Sequence, residues 1–291
     1  MRVAVTGATG TIGSAVVGVL QGRGDEVVAV SRDPAAAGIE AIGWDDLDLG
    51  GFDGVIHLAG EPLAQRWTDA AKSRIRDSRV DGTRRVVEAL RRAEPRPRVL
   101  VSQSAEGFYP RGHALVAEDG PAGSGFLSEV VQAWEREARA AEEIGVRVAI
   151  ARTGVVIARA GGALQKMLVP FKLGVGGPVA GGHQPFPWVH VDDVATALVF
   201  LLDTDAARGP VNVVAPEKHT NASFTKALGR ALRRPTFMPV PAAAMKLLYG
   251  EMASTVLEGS NPDPARLLQL GFRFRHPDLE GALASEVGKK A

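Results

Sequence analysis

The sequence contains no cysteine among its 291 residues. A chain without thiols cannot form disulfides, attack a substrate through a thiolate or bind a metal through cysteine. Its six histidines are dispersed and lack the spacing that metal ligands share, so the sequence predicts no metal site. No Gly-x-Ser-x-Gly motif occurs, which leaves a serine hydrolase without support.

Charge and hydrophobicity exclude two further classes of partner. The chain has 34 Lys and Arg residues against 33 Asp and Glu residues, and no long block carries one sign. This balance predicts no binding to nucleic acid, and the Arg-rich stretch 74–98 is interpreted as a solvated helix face. The longest apolar run, at residues 197–202, is far shorter than the roughly 20 residues that cross a membrane. The first residues lack the apolar core of a signal peptide, so we expect a cytoplasmic protein with no membrane partner.

Short apolar runs alternate with helical patterns over about the first 150 residues, and a further run follows near residue 210. The strand-like runs occupy residues 2–6, 25–31, 53–60, 97–104, 146–154 and 209–216. Several are apolar throughout, as expected for strands that are buried on both faces of a parallel sheet. Strands that alternate with helices predict an α/β fold with a Rossmann-type doubly wound parallel sheet.

Beyond residue 154 the alternation becomes irregular. We predict a dinucleotide-binding domain over residues 1–215, in which the segment 155–187 contributes to the substrate side. A smaller, mainly helical C-terminal lobe is predicted for residues 216–291, where prolines divide short helical patterns. The Gly/Pro-rich stretch 174–188 is either a mobile lid or a crossover linker.

Three glycines follow the first strand directly, and a helical pattern begins after them. Gly7, Gly10 and Gly13 are three residues apart. A dinucleotide's pyrophosphate binds at a helix N-terminus, where backbone N–H groups and the helix dipole face it and side chains would hold it away. We therefore predict a dinucleotide site in this glycine loop, formed by Gly7, Thr9, Gly10, Thr11, Ile12 and Gly13.

The end of the second strand bears on the choice of dinucleotide. An NAD-binding chain usually has an acid there, which accepts hydrogen bonds from the ribose. This chain has Ser31 and Arg32, a hydroxyl and a guanidinium that can hold a 2′-phosphate. We predict NADP(H) as the preferred cofactor. NAD(H) stays open, because Arg32 could instead pair with Asp33 or Asp33 could receive a ribose.

Several motifs together resemble the extended short-chain dehydrogenase/reductases, the NAD(P)-dependent epimerase/dehydratase superfamily. They are GATGTIG at 7–13, VIHLAG at 55–60, SRVDGT at 78–83, VLVSQSAEGFY at 99–109 and WVHVDDVA at 188–195. The C-terminal stretch from residue 237 resembles the small extra domain of one atypical branch, usually called epimerase-family proteins, which have no settled substrate. The resemblance implies an NAD(P)-dependent oxidoreductase or epimerase that acts on a small molecule.

The resemblance also implies further site residues. Ser104 matches the serine that hydrogen-bonds the substrate hydroxyl or carbonyl, and Ser102, at the end of the same strand, is expected to contact the cofactor. The remaining matches are cofactor contacts: Asp45 for the adenine, Leu58, Ala59 and Gly60 for the adenosine ribose, and Arg152 and Gly154 beside the nicotinamide.

One expected element is missing. The family normally transfers its proton through Tyr-x-x-x-Lys on a helix, where the ammonium lowers the pKa of the phenol. The chain has two tyrosines, Tyr109 and Tyr249, and neither has a lysine four residues later. In the expected helix Phe126 takes the tyrosine position, with Glu129 or Val130 at that of the lysine.

Two interpretations follow from the missing dyad. In the first, Tyr109 supplies the phenol from a different backbone position, with Lys166 or Glu106 assisting, and the chain is an enzyme. In the second, the chain is a non-catalytic NADP(H)-binding sensor or scaffold. An interaction module that binds no nucleotide is a third, weaker alternative.

Other conspicuous side chains have structural explanations. We interpret the Asp192-Asp193 pair as the N-cap and first turn of a helix, and His57 as a hydrogen-bonded core residue. The aromatic residues Trp67, Phe108, Phe186 and Trp188 hint at an apolar or aromatic small-molecule substrate. The oligomeric state is expected to be a monomer or a homodimer.

Overall fold

A computed structural model describes residues 1–288 of the chain. Its centre is a sheet of seven parallel strands in the order β3-β2-β1-β4-β5-β7-β10. Two further pairs of short strands, β8 with β9 and β6 with β11, lie outside this sheet. The strands are β1 (Arg2–Thr6), β2 (Glu26–Ser31), β3 (Ala41–Gly43), β4 (Gly54–His57), β5 (Val99–Ala105), β6 (Leu115–Val116), β7 (Arg147–Thr153), β8 (Val155–Ile157), β9 (Trp188–His190), β10 (Gly209–Val213) and β11 (Asn261–Pro262).

Helices cover both faces of the main sheet. One apolar cluster joins the sheet to α1 and α5, and a second joins its other face to α2 and α3. This layering confirms the predicted Rossmann-type α/β fold, with a C-terminal region that is mostly helical. The helices are α1 (Thr11–Gly22), α2 (Asp69–Arg92), α3 (Phe126–Arg139), α4 (Gly162–Lys172), α5 (Val191–Asp203), α6 (Asn221–Leu232), α7 (Ala242–Tyr249), α8 (Ser254–Leu257), α9 (Ala265–Gln269) and α10 (Leu279–Val287).

The strand order fixes where a ligand can bind. The sheet is wound outward in both directions from β1 and β4, which pair in parallel from Val3 with Gly54 to Thr6 with His57. In doubly wound sheets, ligands bind beyond the carboxyl ends of the strands, at the point where the strand order reverses. Here the loops that follow β1 and β4 flank that point, and they carry the glycine motif and residues 58–60.

The C-terminal helices share an apolar core with the segment that precedes them. Side chains of α4 pack with those of α6 and α10 around the buried Trp188. β11, from the C-terminal part of the chain, pairs with β6 in the dinucleotide-binding part. No helix within residues 1–288 has both the length and the apolar character that a bilayer crossing needs.

The first turn of α5 corrects one prediction. His190 is the N-cap, because its Nδ1 accepts a hydrogen bond of 3.1 Å from the backbone N–H of Asp192. Both acids of the Asp192-Asp193 pair therefore lie in the first turn, where they complement the helix dipole, and neither is the cap. Asp193 is fully buried and accepts from the backbone N–H groups of Arg275 and His276, so it fixes the chain that leads to α10.

Candidate cofactor and substrate site

The glycine loop leaves no room for side chains at the close approaches. A Cβ on Gly13 would lie 2.1 Å from the carbonyl oxygen of Gly7, and one on Gly7 would lie 3.0 Å from the backbone nitrogen of Ala59. Gly7 also has φ of +68°, which favours glycine. The loop is therefore tightly folded against the strand end at residues 58–60.

The same loop presents unused backbone donors. The first helical hydrogen bond of α1 runs from Ser14 N to Gly10 O, and Gly10 has no side chain with which to cap the helix. The amides of the first turn, at Thr11, Ile12 and Gly13, therefore lack partners inside the helix. Together with the positive end of the helix dipole, they suit a phosphate. The Thr11 hydroxyl itself donates to Ala160 O, while Thr9 is exposed.

A buried hydrogen-bond network supports the strand end beside the loop. The Thr6 hydroxyl accepts from the backbone N–H groups of Leu58 and Ala59, both at 3.0 Å. The same hydroxyl is 2.7 Å from Nδ1 of His57, whose Nε2 is 3.0 Å from the Thr83 hydroxyl. His57 is fully buried, and burial lowers its pKa to about 4, with a further contribution from the charge of Arg79. This arrangement confirms the interpretation of His57 as a hydrogen-bonded core residue.

Arg32 follows the last residue of β2 and is the cation predicted to bind a 2′-phosphate. Arg32 is exposed and makes no salt bridge within the described part of the chain, so Asp33 does not neutralise it. The Ser31 hydroxyl donates to Asp33 O at 2.9 Å. Asp45, beyond β3, is exposed and pairs with Arg85 at 3.1 Å. Gly60 lies against the buried guanidinium of Arg79.

The side chains predicted for catalysis lie in a different environment. The Ser104 hydroxyl is buried and donates to Glu135 Oε1 at 2.7 Å. Glu135 also receives two hydrogen bonds of 2.8 Å from the Arg152 guanidinium. Burial alone would lower the pKa of Arg152, but the hydrogen bonds and charge of Glu135 outweigh it and raise that pKa. The side chain of Arg152 is therefore directed into a buried ion pair on α3.

Tyr109 belongs to the same buried network. Its hydroxyl donates to Asn212 Oδ1 at 2.7 Å and accepts from Arg152 Nη1 at 2.9 Å. Burial raises the pKa of Tyr109. A catalytic phenol near neutral pH needs a shift in the opposite direction. The Tyr109 hydroxyl thus has both a donor and an acceptor partner within the protein.

A cavity of about 550 Å³ opens where the missing dyad would be. It is lined by Phe126 at the start of α3, by Trp67, by an edge of Tyr109 and by Arg111, with Glu251 and Glu258 from the C-terminal part of the chain. Phe126 and Trp67 stack edge to face, with centroids 5.1 Å apart. This volume is suitable for a small molecule.

The remaining predicted residues lie apart from this cavity. Lys166 Nζ donates to Ala64 O in the loop after β4. The hydroxyl of Ser102 is buried and donates to a neighbouring backbone carbonyl. A Cβ on Gly154 would lie 2.3 Å from Pro187 O, so this glycine allows two chain segments to approach closely. Of the four aromatic residues predicted for a pocket, only Trp67 lines this cavity. Phe186 packs against Phe224, and Trp188 is buried in the apolar core around α4, α6 and α10. The ring of Phe108 packs against the guanidinium of Arg152.

Two groups of residues were not found from the sequence. Glu135 lies on the buried face of α3, next to the buried Trp134. An acid on an apolar helix face indicates a buried charge that needs a partner, and this signal was present in the sequence. His190 and His276 lie far apart in the sequence, yet their rings stack with centroids 3.8 Å apart, and Asp192 lies close to both. The spacing of the histidines along the chain could not reveal this contact.

The fold and the glycine loop are typical of Rossmann-type dinucleotide-binding proteins, and the family comparison agrees. The family model for the NAD dependent epimerase/dehydratase family matches residues 3–215, and a domain of unknown function, DUF1731, matches residues 240–286. The chain belongs to the NAD dependent epimerase/dehydratase family. The resemblance inferred from the motifs is confirmed.

Its relatives align with nearly the full length of the chain. The bovine epimerase family protein SDR39U1 is 41% identical over 99% of this chain and 100% of its own length. The epimerase family protein SAR0825 of Staphylococcus aureus is 33% identical over 98% of each. A crystal structure of human SDR39U1 (isoform 2) with NADPH superposes with a TM-score of 0.92 at 36% identity, covering all of both chains.

Proposed function

We propose that this chain binds NADP(H) and transfers hydride between it and a small-molecule substrate. The observation that carries this is the glycine loop, with unpartnered amides at the start of α1 and no space for a side chain at Gly13. The loop lies where the strand order reverses, the position at which this fold binds nucleotides. The NADPH in the crystal structure of the human relative supports the same cofactor here.

The preference for NADP(H) rests on Arg32. Its guanidinium is exposed at the end of β2 and forms no salt bridge within residues 1–288, although its charge helps to lower the pKa of Glu61. A 2′-phosphate is the group that distinguishes NADPH from NADH, and an arginine can bind it through two parallel hydrogen bonds. Ser31 adds a hydroxyl at the same place.

For the chemical step, Tyr109 and Ser104 are the candidates to test. Tyr109 lines the cavity and is linked through Arg152 and Glu135 to Ser104. Lys166 would assist from α4. The experiment is turnover of NADPH with a panel of carbonyl compounds, comparing the wild type with Tyr109→Phe and Ser104→Ala. The proposed roles predict slower turnover in both variants, and unchanged turnover in both would rule them out.

A non-catalytic NADP(H)-binding sensor or scaffold is the second candidate function. It is favoured by Phe126 at the dyad position and by the burial that raises the pKa of Tyr109. Under this alternative, NADPH binds and protects the protein against heat, while no carbonyl or sugar substrate is turned over. Steady turnover of any such substrate removes this alternative.

A further inference from the structure

Arg111 differs from other arginines of the chain that are fully or partly withdrawn from solvent. Its side chain is 25% exposed, and its Nη1 is shielded from solvent but lacks a hydrogen-bond partner among residues 1–288. By contrast, the guanidiniums of Arg79, Arg96 and Arg147 each donate to two or more backbone carbonyls. A buried donor without a partner has a free-energy cost, which a ligand can remove.

The nearest acid explains the position of Arg111 but does not satisfy it. Glu106 Oε2 is 3.6 Å from Arg111 Nη1, too far for a hydrogen bond. The same carboxylate oxygen accepts the hydroxyl of Ser260, which holds it in place. Glu106 therefore orients the guanidinium by charge from one side, while Arg111 lines the cavity.

Part of the cavity wall is aromatic. Phe126 and Trp67 form an edge-to-face pair there, beside the first turn of α3. The N-cap of α3, Gly125, has no side chain to cap the helix, so amides of the first turn lack intrahelical partners, and residues 125–127 line the same cavity. One cavity thus combines a cation with available donors and a flat apolar surface.

We propose that this cavity binds a small molecule with an acid group, carboxylate or phosphate, at Arg111 and a flat apolar body against Trp67 and Phe126. The planar guanidinium matches the geometry of both acid groups. The inference rests on the proposed function, because it names the substrate class of the same site. It also accounts for the phenylalanine at the dyad position, since Phe126 forms part of the apolar surface.

Two carboxylates at the rim do not oppose an anion. Glu251 pairs with Lys72, and the ammonium of Lys72 lies 5.2 Å from the centre of the Phe126 ring. Glu258 is exposed to solvent, where water and salt screen its charge. Arg111 is a lining charge that is partly withdrawn from solvent, and its Nη1 has a donor available for an anion.

The test compares benzoate with benzamide, a neutral probe of nearly the same shape. Both are titrated calorimetrically into the full-length protein, with and without saturating NADPH. We expect benzoate to bind at least about tenfold more tightly than benzamide. Arg111→Gln should remove this preference and Arg111→Lys should reduce it, whereas Arg76→Gln, an exposed arginine on α2, should preserve it. Phenyl phosphate in a parallel titration distinguishes the two acid groups.

The outcomes separate this inference from the proposed function. Equal binding of benzoate and benzamide, or an unchanged preference in Arg111→Gln, overturns the inference even when NADPH binds normally. Failure of NADPH to bind overturns the proposed function, and the titrations without cofactor still decide the acid-group site. NADPH affinity of Arg111→Gln equal to that of the wild type shows that the variant is folded.

Discussion

The two ends of the candidate cleft are built in opposite ways. Around the glycine loop, the polar groups are backbone amides and an exposed arginine, and they have few partners within the protein. Around Ser104 and Tyr109, the polar groups are buried side chains that hydrogen-bond to one another and to nearby backbone carbonyls. The first end has donors available for a ligand, whereas the polar side chains of the second already have partners within the protein.

This difference separates the proposed nucleotide site from the site of the missing dyad. The proposed nucleotide binding depends on main-chain geometry, which the glycines maintain. The family's usual proton transfer depends on two side chains at the start of α3, and there the chain has Phe126 beside an open cavity. A substitution at the glycine loop should therefore change cofactor affinity, and one in the buried network should change stability.

The largest effect is expected from Glu135→Gln. This change leaves the buried Arg152 without its counter-charge and should lower the free energy of unfolding by about 3–5 kcal/mol. Urea unfolding measures it. Glu137→Gln on the same helix, which loses an exposed pair with Arg84, should cost about 1 kcal/mol or less. Equal effects of the two changes would contradict the structural role of the network.

The pH dependence of stability tests the support beneath the glycine loop. Because burial lowers the pKa of His57 to about 4, native His57 stays neutral while the unfolded residue takes up a proton below about pH 6.5. The free energy of unfolding should therefore fall as pH decreases from about 6.5 to 4, by about 3 kcal/mol from this residue. Urea titrations across this range measure the loss, and His57→Gln should show a flatter profile. An equally steep profile in that variant would assign the loss to other groups.

Gly13→Ala tests the glycine loop itself. The added Cβ would collide with Gly7 O, so the loop must open and its amides must turn away from the pyrophosphate. We expect NADPH affinity to fall about 100-fold, which corresponds to about 2.7 kcal/mol. Fluorescence titration measures this. Gly18→Ala in the same helix meets no atom within 4 Å and should leave affinity unchanged.

Arg32→Ala should have the smallest effect and the most selective one. Loss of the guanidinium removes the contact proposed for the 2′-phosphate, so NADPH affinity should fall about tenfold. NADH has no such phosphate, and its affinity should stay the same. Calorimetric titration of both nucleotides into both proteins gives the comparison. A parallel loss for NADH would mean that Arg32 binds another part of the cofactor.

The elements with local signals could be predicted from the sequence. β1, the glycine loop and α1 are consecutive, and the continuous apolar runs of β4, β5 and β7 match the central strands. α2 begins at Asp69, directly after its N-cap Thr68, and threonine followed by an acid is a local signal of a helix start. The short edge strand β3 was not found, because three residues are too few to form a pattern.

Contacts between distant elements could not be predicted. Glu135 is 31 residues from Ser104, and Tyr109 is 103 residues from Asn212, so their pairing depends on how α3 and the sheet edge pack. The same holds for Arg111, whose missing hydrogen bond is visible only when its surroundings are known. The residue types alone indicated a cofactor site. The position of the candidate substrate cavity could be found only once the fold was known.

Calorimetric titration of NADPH into the wild-type protein tests the central claim most directly. The account predicts one molecule bound per chain, tighter than NADH and accompanied by a higher melting temperature. Absence of both heat and thermal protection with NADPH and NADH alike would contradict it.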